Sequence, residues 1–316
     1  MVRFTIKKLA GLLAVIFVVS IVVFFLGRGV APGDAGTVII GTDGATPEQI
    51  AKVRRDLGLD DPLPVAYVQW LGDAVLLRLG SSPISGLSVT SQLAQQLPVS
   101  LELAFLAVVL TTLIGVPLGI VSAVHANRIG DTAIRVVVLS IFSIPVFLTG
   151  IILLLVGARY LGPLYQANYV PISTSLVGNL QSMVLPTIAI AIPTAALTMQ
   201  MTRTAMIEAL SEPHIQMAHA KGASLRNIRY IHALKSALPA IITLQAFLFG
   251  IFLGGLVVVE NIFNLPGLGR GIVVAISQRD FQLLIPQTLI VAAFFVIANT
   301  VVEIIHPILD KRVIEQ

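Results

Sequence analysis

The residue types that carry chemistry are few in this chain, and their spacing does not suit catalysis. Five histidines fall at His125, His214, His219, His232 and His306, none in the H-E-x-x-H spacing that sets two imidazoles and a carboxylate on one helix face. The absence of cysteine removes thiolate metal sites, disulfides and thiol nucleophiles together. No G-x-S-x-G elbow, no pair of aspartates within an apolar run and no G-x-x-x-x-G-K-[ST] phosphate loop occurs. No catalytic residue, metal ligand or cofactor is assigned to this chain.

What the sequence does offer is a built polar element between two long apolar runs, Ser211-Glu-Pro-His-Ile-Gln-Met-Ala-His-Ala-Lys-Gly-Ala-Ser224. Ser211 is expected to accept from the first free N–H groups, Glu212 complements the positive helix end, and Pro213 fits the first turn, where its missing N–H costs nothing. Gly222 closes the helix. The product is a knob of about ten residues, roughly 15 Å long at 1.5 Å per residue. It either receives a soluble partner or lies on the lipid surface. Ser224 then caps a second helix whose Leu225, Ile228, Ile231 and Leu238 share a face, with Arg226, Arg229 and Lys235 mostly off it, a pattern that also suits anionic headgroups.

The elements that must hold this knob are membrane helices. Of 316 residues, 56% are hydrophobic and 11% charged, and the mean hydropathy is +0.94, values foreign to a soluble domain. A formal charge of +4 spread over loops gives nucleic-acid binding no support. Six apolar runs, at 9–27, 101–124, 136–157, 183–202, 237–259 and 283–305, suffice to cross about 30 Å of hydrocarbon as helices, and barrel strands would be shorter and alternating. Arg3, Lys7 and Lys8 before the first run resemble a secretory leader, but the run exceeds a leader core and Pro32 follows the small-residue site at Ala31, so it is expected to remain as an anchor. Arg128, Arg135, Arg203, Lys221, Arg226, Arg229, Lys235, Lys311 and Arg312 fall on the side of the N-terminal cations, whereas Arg159, Arg270 and Arg279 oppose them, which predicts both termini in the cytoplasm.

The chain therefore divides into an anchor helix at 1–27, an external segment at 28–97, a five-helix core at 98–305 carrying the cytoplasmic stretch 203–238, and a cytoplasmic tail at 306–316. In the external segment, helices are expected at 47–57, capped by Thr46, and at 64–79, with Tyr67, Trp70 and Leu71 on one side. This segment either contacts a soluble partner or shields helix ends. Pro117, Pro145, Pro186 and Pro193 interrupt helix hydrogen bonding and are expected to kink their spans. Ser140, Ser143, Thr198 and Gln200 are candidates to line an aqueous path, although hydroxyls also bond back to their own helix. Gly254 and Gly255 allow close approach of another helix, from this chain or a second one. Glu102 and Glu260 lie toward external ends and are expected to be hydrated; Glu303 either holds a helix end near Lys311 or Arg312 or faces the path.

Several ordered patches resemble the B-type permease subunit of dipeptide and oligopeptide ATP-binding-cassette importers. They are PGD at 32–34, LGLDDPL at 57–63, YVQWL at 67–71, SIPVF with Gly150, TRTAMIEALSEPHIQMAHAKGAS at 202–224, HALKSALPAIIT at 232–243, FLGGLVVVENIFNLPGLGRG at 252–271 followed by Arg279-Asp280, and HPILDKRV at 306–313. The resemblance implies an all-α fold of six transmembrane helices, the type I importer permease fold, in a bacterial cytoplasmic membrane. It implies a homologous C-type permease, two cytosolic ATPase domains that hold ATP and magnesium, an external solute-binding lipoprotein and a peptide cargo.

Under that resemblance Ser211, Glu212, Pro213, His214, Gln216, Ala218, Ala220, Lys221, Gly222 and Arg226 couple to the ATPase. Pro145, Phe147, Gly254 and Gly255 join the four path candidates. Tyr67, Trp70, Glu260, Phe263, Pro266, Gly267, Leu268 and Arg270 form the external gate or meet the binding protein. Gln216, Met217 and Ala218 stand where the wider superfamily has Glu-Ala-Ala, Gln282 replaces an expected proline, and Lys311 another. Relatives of this architecture also carry nickel chelates, haem or glutathione. A stand-alone secondary transporter would favour buried charge pairs and inverted repeats, and neither is visible in the sequence.

Overall fold

The computed structural model describes residues 2–29, 48, 61–162 and 168–309. Among them the chain is helical: α1 (Val2–Gly29), α2 (Leu63–Val75), α3 (Val89–Val124), α4 (Ile129–Phe142), α5 (Val146–Leu161), α6 (Leu176–Ser211), α7 (Pro213–Ala220), α8 (Leu225–Gly255), α9 (Val257–Ile262), α10 (Leu268–Gln278) and α11 (Phe281–Leu309). The helices α1, α3, α6, α8 and α11 are each long and apolar enough to cross a membrane, and α4 with α5 forms a sixth span if the bent pair is counted as one. Six apolar runs thus yield the expected all-α membrane architecture.

The third run differs from expectation. Instead of one kinked helix over 136–157, α4 and α5 meet at an angle of 89°. Pro145 supplies no amide hydrogen and disfavours helical backbone at Ile144, so α4 stops at Phe142 and Pro145 opens α5. By contrast α3 runs through Pro117 and α6 through Pro186 and Pro193. The other boundaries also shift. α3 begins at Val89, well inside the stretch taken as external, and α8 begins at Leu225 and stops at Gly255, leaving α9 separate. α2 ends at Val75 rather than at residue 79, because Leu77 and Gly80 adopt left-handed φ of 57° and 73°. The helix expected at 47–57 with its Thr46 cap, the patch at 32–34, most of 57–63, and Lys311 and Arg312 of the tail lie outside the described residues, as does the side chain of Glu303.

The chain separates into two compact units, Met1–Ser100 with Pro266–Ile297, and Leu101–Leu265 with Ala298–Gln316. In the second unit α6 is the hub, packed by α4, α5 and α8, and its apolar window is 72% buried. In the first unit the comparable window of α1 is only 11% buried. The first unit's core joins Val89 and Leu93 of α3 to Leu268, Ala275 and Leu283, with a second cluster of Phe24, Ala66, Tyr67 and Ile285.

Candidate functional site

Helix α7 is short, exposed and firmly closed at both ends. Pro213 occupies its first turn, and Glu212 takes the N-cap position without a side-chain cap. The expected capping role of Ser211 does not hold. Ser211 is the last residue of α6, and its hydroxyl donates to the Glu208 carbonyl at 2.7 Å. The entry is instead braced by Gln216, whose amide donates to the Ser211 carbonyl at 3.0 Å, and by a 3.0 Å contact between His214 Nδ1 and Glu212. At the exit Gly222 has φ +83°, and the Gly222 and Ala223 N–H groups donate to the carbonyls of His219 and Ala218 at 3.0 and 3.1 Å. That reciprocal pair closes a helix through a left-handed residue, a conformation glycine adopts without penalty.

One side chain holds α7 to the membrane helices. Ile215 is 2% exposed and sits among Ile120, Ala123, Met206, Ala209, Ile228 and Ala233. Full burial of such a side chain stabilises by about 1.5–3 kcal/mol. Pro213, His214, Gln216, Ala220, Lys221, Gly222 and Arg226 are exposed, Glu212 and Ala218 half-buried. Met217, 60% exposed, was not among the expected contact residues, although an exposed flexible apolar side chain is well suited to a partner's cleft.

Ser224 caps α8 as expected, accepting from the Asn227 N–H at 3.3 Å. The face expected of Leu225, Ile228, Ile231 and Leu238 does not form. A π turn over Ile228–Ala233 inserts a wider step, so the buried line reads Ile228, Ala233, Ala237 and Ile241, while Leu225, Ile231 and Leu238 are exposed. This line, with Ile215, fixes α7 onto α8.

Two further contacts tie the helices around α7. Asp131, almost fully buried at the start of α4, accepts from Arg203 Nε and Nη2 of α6 at 2.9 and 2.7 Å, from the Ser122 hydroxyl of α3 and from the Asn127 N–H. The ends of α3, α4 and α6 thus share one carboxylate. Nearer the middle of α3, Gly115 and Gly119 meet α6 so closely that a Cβ on Gly119 would lie 2.7 Å from the Met199 carbonyl, and one on Gly115 2.9 Å from the Ala195 carbonyl. Small residues four apart permit this approach.

The path candidates separate into three places. Ser140, Ser143, Pro145 and Phe147 flank the α4–α5 elbow; the two hydroxyls donate to the Val136 and Leu139 carbonyls of their own helix. Thr198 is fully buried against α3 and accepts from Gln245 Nε2 at 2.9 Å, so in this conformation it is a packing residue and does not line a path; Gln200 is half-buried. Gly254 and Gly255 are exposed with nothing within 4 Å of an added Cβ, which removes the intrachain packing considered for them.

The external candidates fall in both units, Glu260 and Phe263 in the second and the others in the first. Glu260 is 0% exposed rather than hydrated, and Phe263 is buried with it, so neither presents a surface to a partner here. Glu102 accepts from the Tyr169 hydroxyl at 3.1 Å; burial, then the Glu102 charge, push the Tyr169 phenol up to about 12. Tyr67 is buried against α1, with Trp70 half-buried beside it. Leu268 is buried too, its N–H donating to Ser100 Oγ at 2.8 Å. Pro266, Gly267 and Arg270 converge with Gln92, Gln96, Gln278 and Asp280 on a cavity of about 310 Å³. The Arg279-Asp280 pair is structural: Arg279 ends α10 with φ 54°, and Asp280 accepts from the Leu283 N–H at 3.1 Å and from Ser82.

Among the described residues the chain is helical, with helices long and apolar enough to cross a membrane and the short, exposed helix α7 between two of them. Residues 115–315 match the family described as binding-protein-dependent transport system inner membrane component, and residues 1–104 match the N-terminal region of that membrane component. The chain belongs to this family. Similar proteins include a "Putative peptide transport system permease protein" of Brucella abortus (strain 2308), 35% identical over 99% of both chains. A "Probable peptide ABC transporter permease protein" of Sinorhizobium fredii is 33% identical over 98% of both. A "Glutathione transport system permease protein" of Escherichia coli (strain K12) is 31% identical over 99% of both.

Proposed function

We propose that this chain forms half of the translocation path of a peptide importer in a bacterial cytoplasmic membrane. Its force is supplied by separate ATPase subunits that grip α7. The observation that carries the reading is the construction of α7, anchored by Ile215, closed by Gly222 and exposed over most of its remaining surface. A floppy loop would absorb the displacement of a closing ATPase; a braced helix passes it on. Through Ile215 and the shared Asp131 carboxylate that displacement reaches α3, α4, α6 and α8 together. The basic residues beside α7 support a cytoplasmic position for it and for both termini.

A homologous C-type permease completes the path, and the open surface at Gly254 and Gly255 suits close approach of its helix. A solute-binding lipoprotein delivers cargo from outside, and the amide-lined cavity near Arg270 suits contact with it. ATP and magnesium belong to the ATPase subunits. Cargo is read as di- or oligopeptide from the two relatives named for peptides, and the relative named for glutathione, itself a tripeptide, keeps that cargo as the second reading. In proteoliposomes, ATP-dependent peptide accumulation is expected only when permease partner, ATPases and binding protein are all present. Uphill accumulation by this chain alone would overturn the reading.

A further inference from the structure

Helix α2 lies at a depth that its position in the chain does not suggest. The Tyr67 hydroxyl is 2.8 Å from Ser20 Oγ, and Ser20 lies within the membrane-length run Ile6–Gly27 of α1. Ser20 lies seven positions before Gly27, so Tyr67 touches α1 about 10 Å inside the end of that run. The contact is not confined to one bond. Phe17, Phe24 and Phe25 stand with ring centres 6.4, 5.4 and 6.0 Å from Tyr67, and Phe24 is 5.4 Å from Trp70.

The remaining surface of α2 is sorted by polarity. At 3.6 residues per turn, Ala66, Tyr67, Trp70, Leu71 and Ala74 form the face against α1. Val68 and Val75 form one flank and Gln69 and Asp73 the other, with Val65 between them on the side away from α1. Val68 is 68% exposed and Val75 75%, and Leu76 and Leu77 continue the apolar flank before exposed Arg78. Over the stretch of α1 that meets Tyr67 and Trp70, Val18, Val22 and Leu26 are also exposed. An apolar flank on a helix packed against a membrane-length helix within its apolar run, with a polar flank on its other side, is the pattern of a helix lying in a bilayer interface.

We propose that α2 and residues 76–77 are seated in the lipid bilayer beside α1, with Val68 and Val75 against acyl chains and Gln69 and Asp73 toward headgroups and water. The Tyr67–Trp70–Phe24 cluster then occupies the interfacial layer that aromatic side chains favour. This rests on α1 being a membrane span. The absence of native cysteine makes the test clean. Single variants Val68→Cys, Gln69→Cys, Val18→Cys and Ser85→Cys in the assembled importer are labelled with an environment-sensitive maleimide dye in vesicles containing spin-labelled phosphatidylcholine.

The Val68→Cys site should be quenched by lipid nearly as strongly as the Val18→Cys site, and several-fold more than the Gln69→Cys and Ser85→Cys sites. Its reaction with a membrane-impermeant maleimide should be at least about tenfold slower than that of Ser85→Cys. Unquenched dye with fast impermeant labelling at position 68 would overturn the proposal in favour of a water-facing surface. Unquenched dye with slow labelling would overturn it in favour of a covering protein. Loss of quenching at position 18 as well would remove the span reading itself.

Discussion

The two turns that interrupt the apolar helices with proline, glycine and charge, 211–224 and 256–280, are built in opposite ways. The first exposes nearly all its side chains and is held by Ile215; the second turns Glu260, Phe263, Leu265, Leu268 and Asp280 inward. Both looked like contact surfaces in the sequence. What separates them is their apolar content. Between Ser211 and Gly222 only Ile215 and Met217 are large and apolar, too few to build a core, so the stretch must remain a projection. The second turn carries more apolar bulk, which is buried, and its Arg279-Asp280 pair serves helix ends.

That contrast can be broken by substitution. The largest effect is expected from Phe263→Ala, which empties a buried aromatic site and should cost about 3–5 kcal/mol of stability, read as a lower midpoint in detergent melts and poor yield of assembled complex. Asp131→Ala is expected to be comparable, about 3–5 kcal/mol, because it leaves Arg203 charged and without its carboxylate. Gly222→Ala forces a side chain into φ +83° and should cost about 1–2 kcal/mol, yet lower peptide uptake more than assembly, since it strains only α7. Met217→Ala should alter stability by less than about 0.5 kcal/mol while reducing uptake per ATP hydrolysed. If Met217→Ala destabilised the chain as much as Phe263→Ala, the two turns would be the same kind of structure and the contrast would fail.

The spans were legible because a run of about twenty apolar residues has one stable solution in lipid. Which proline would break a helix was not. Pro186 and Pro193 sit in the packed hub of the second unit, where neighbours hold the helix together, whereas Pro145 lies in the more exposed α4–α5 pair and redirects it. The end of α7 was readable from Gly222, a local signal. Its start was misread at Ser211, because a serine that can cap one helix can equally end the one before it. Ile215, the Asp131–Arg203 pair and the close approach of Gly115 to Ala195 and of Gly119 to Met199 between α3 and α6 depend on residues far apart in the chain, which local pattern does not join. The π turn at Ile228–Ala233 shifts the helix register by one step and defeats any fixed period.

The central claim, that α7 is the part of this chain gripped by the ATPase, is tested most directly by cross-linking from Met217→Cys in the otherwise cysteine-free chain to cysteines in the ATPase subunit. The account predicts a disulfide-linked adduct of the two subunits under oxidation, loss of ATP-driven uptake while the bond persists, and recovery on reduction. No adduct from position 217 or 214 in a complex that still transports peptide would contradict it.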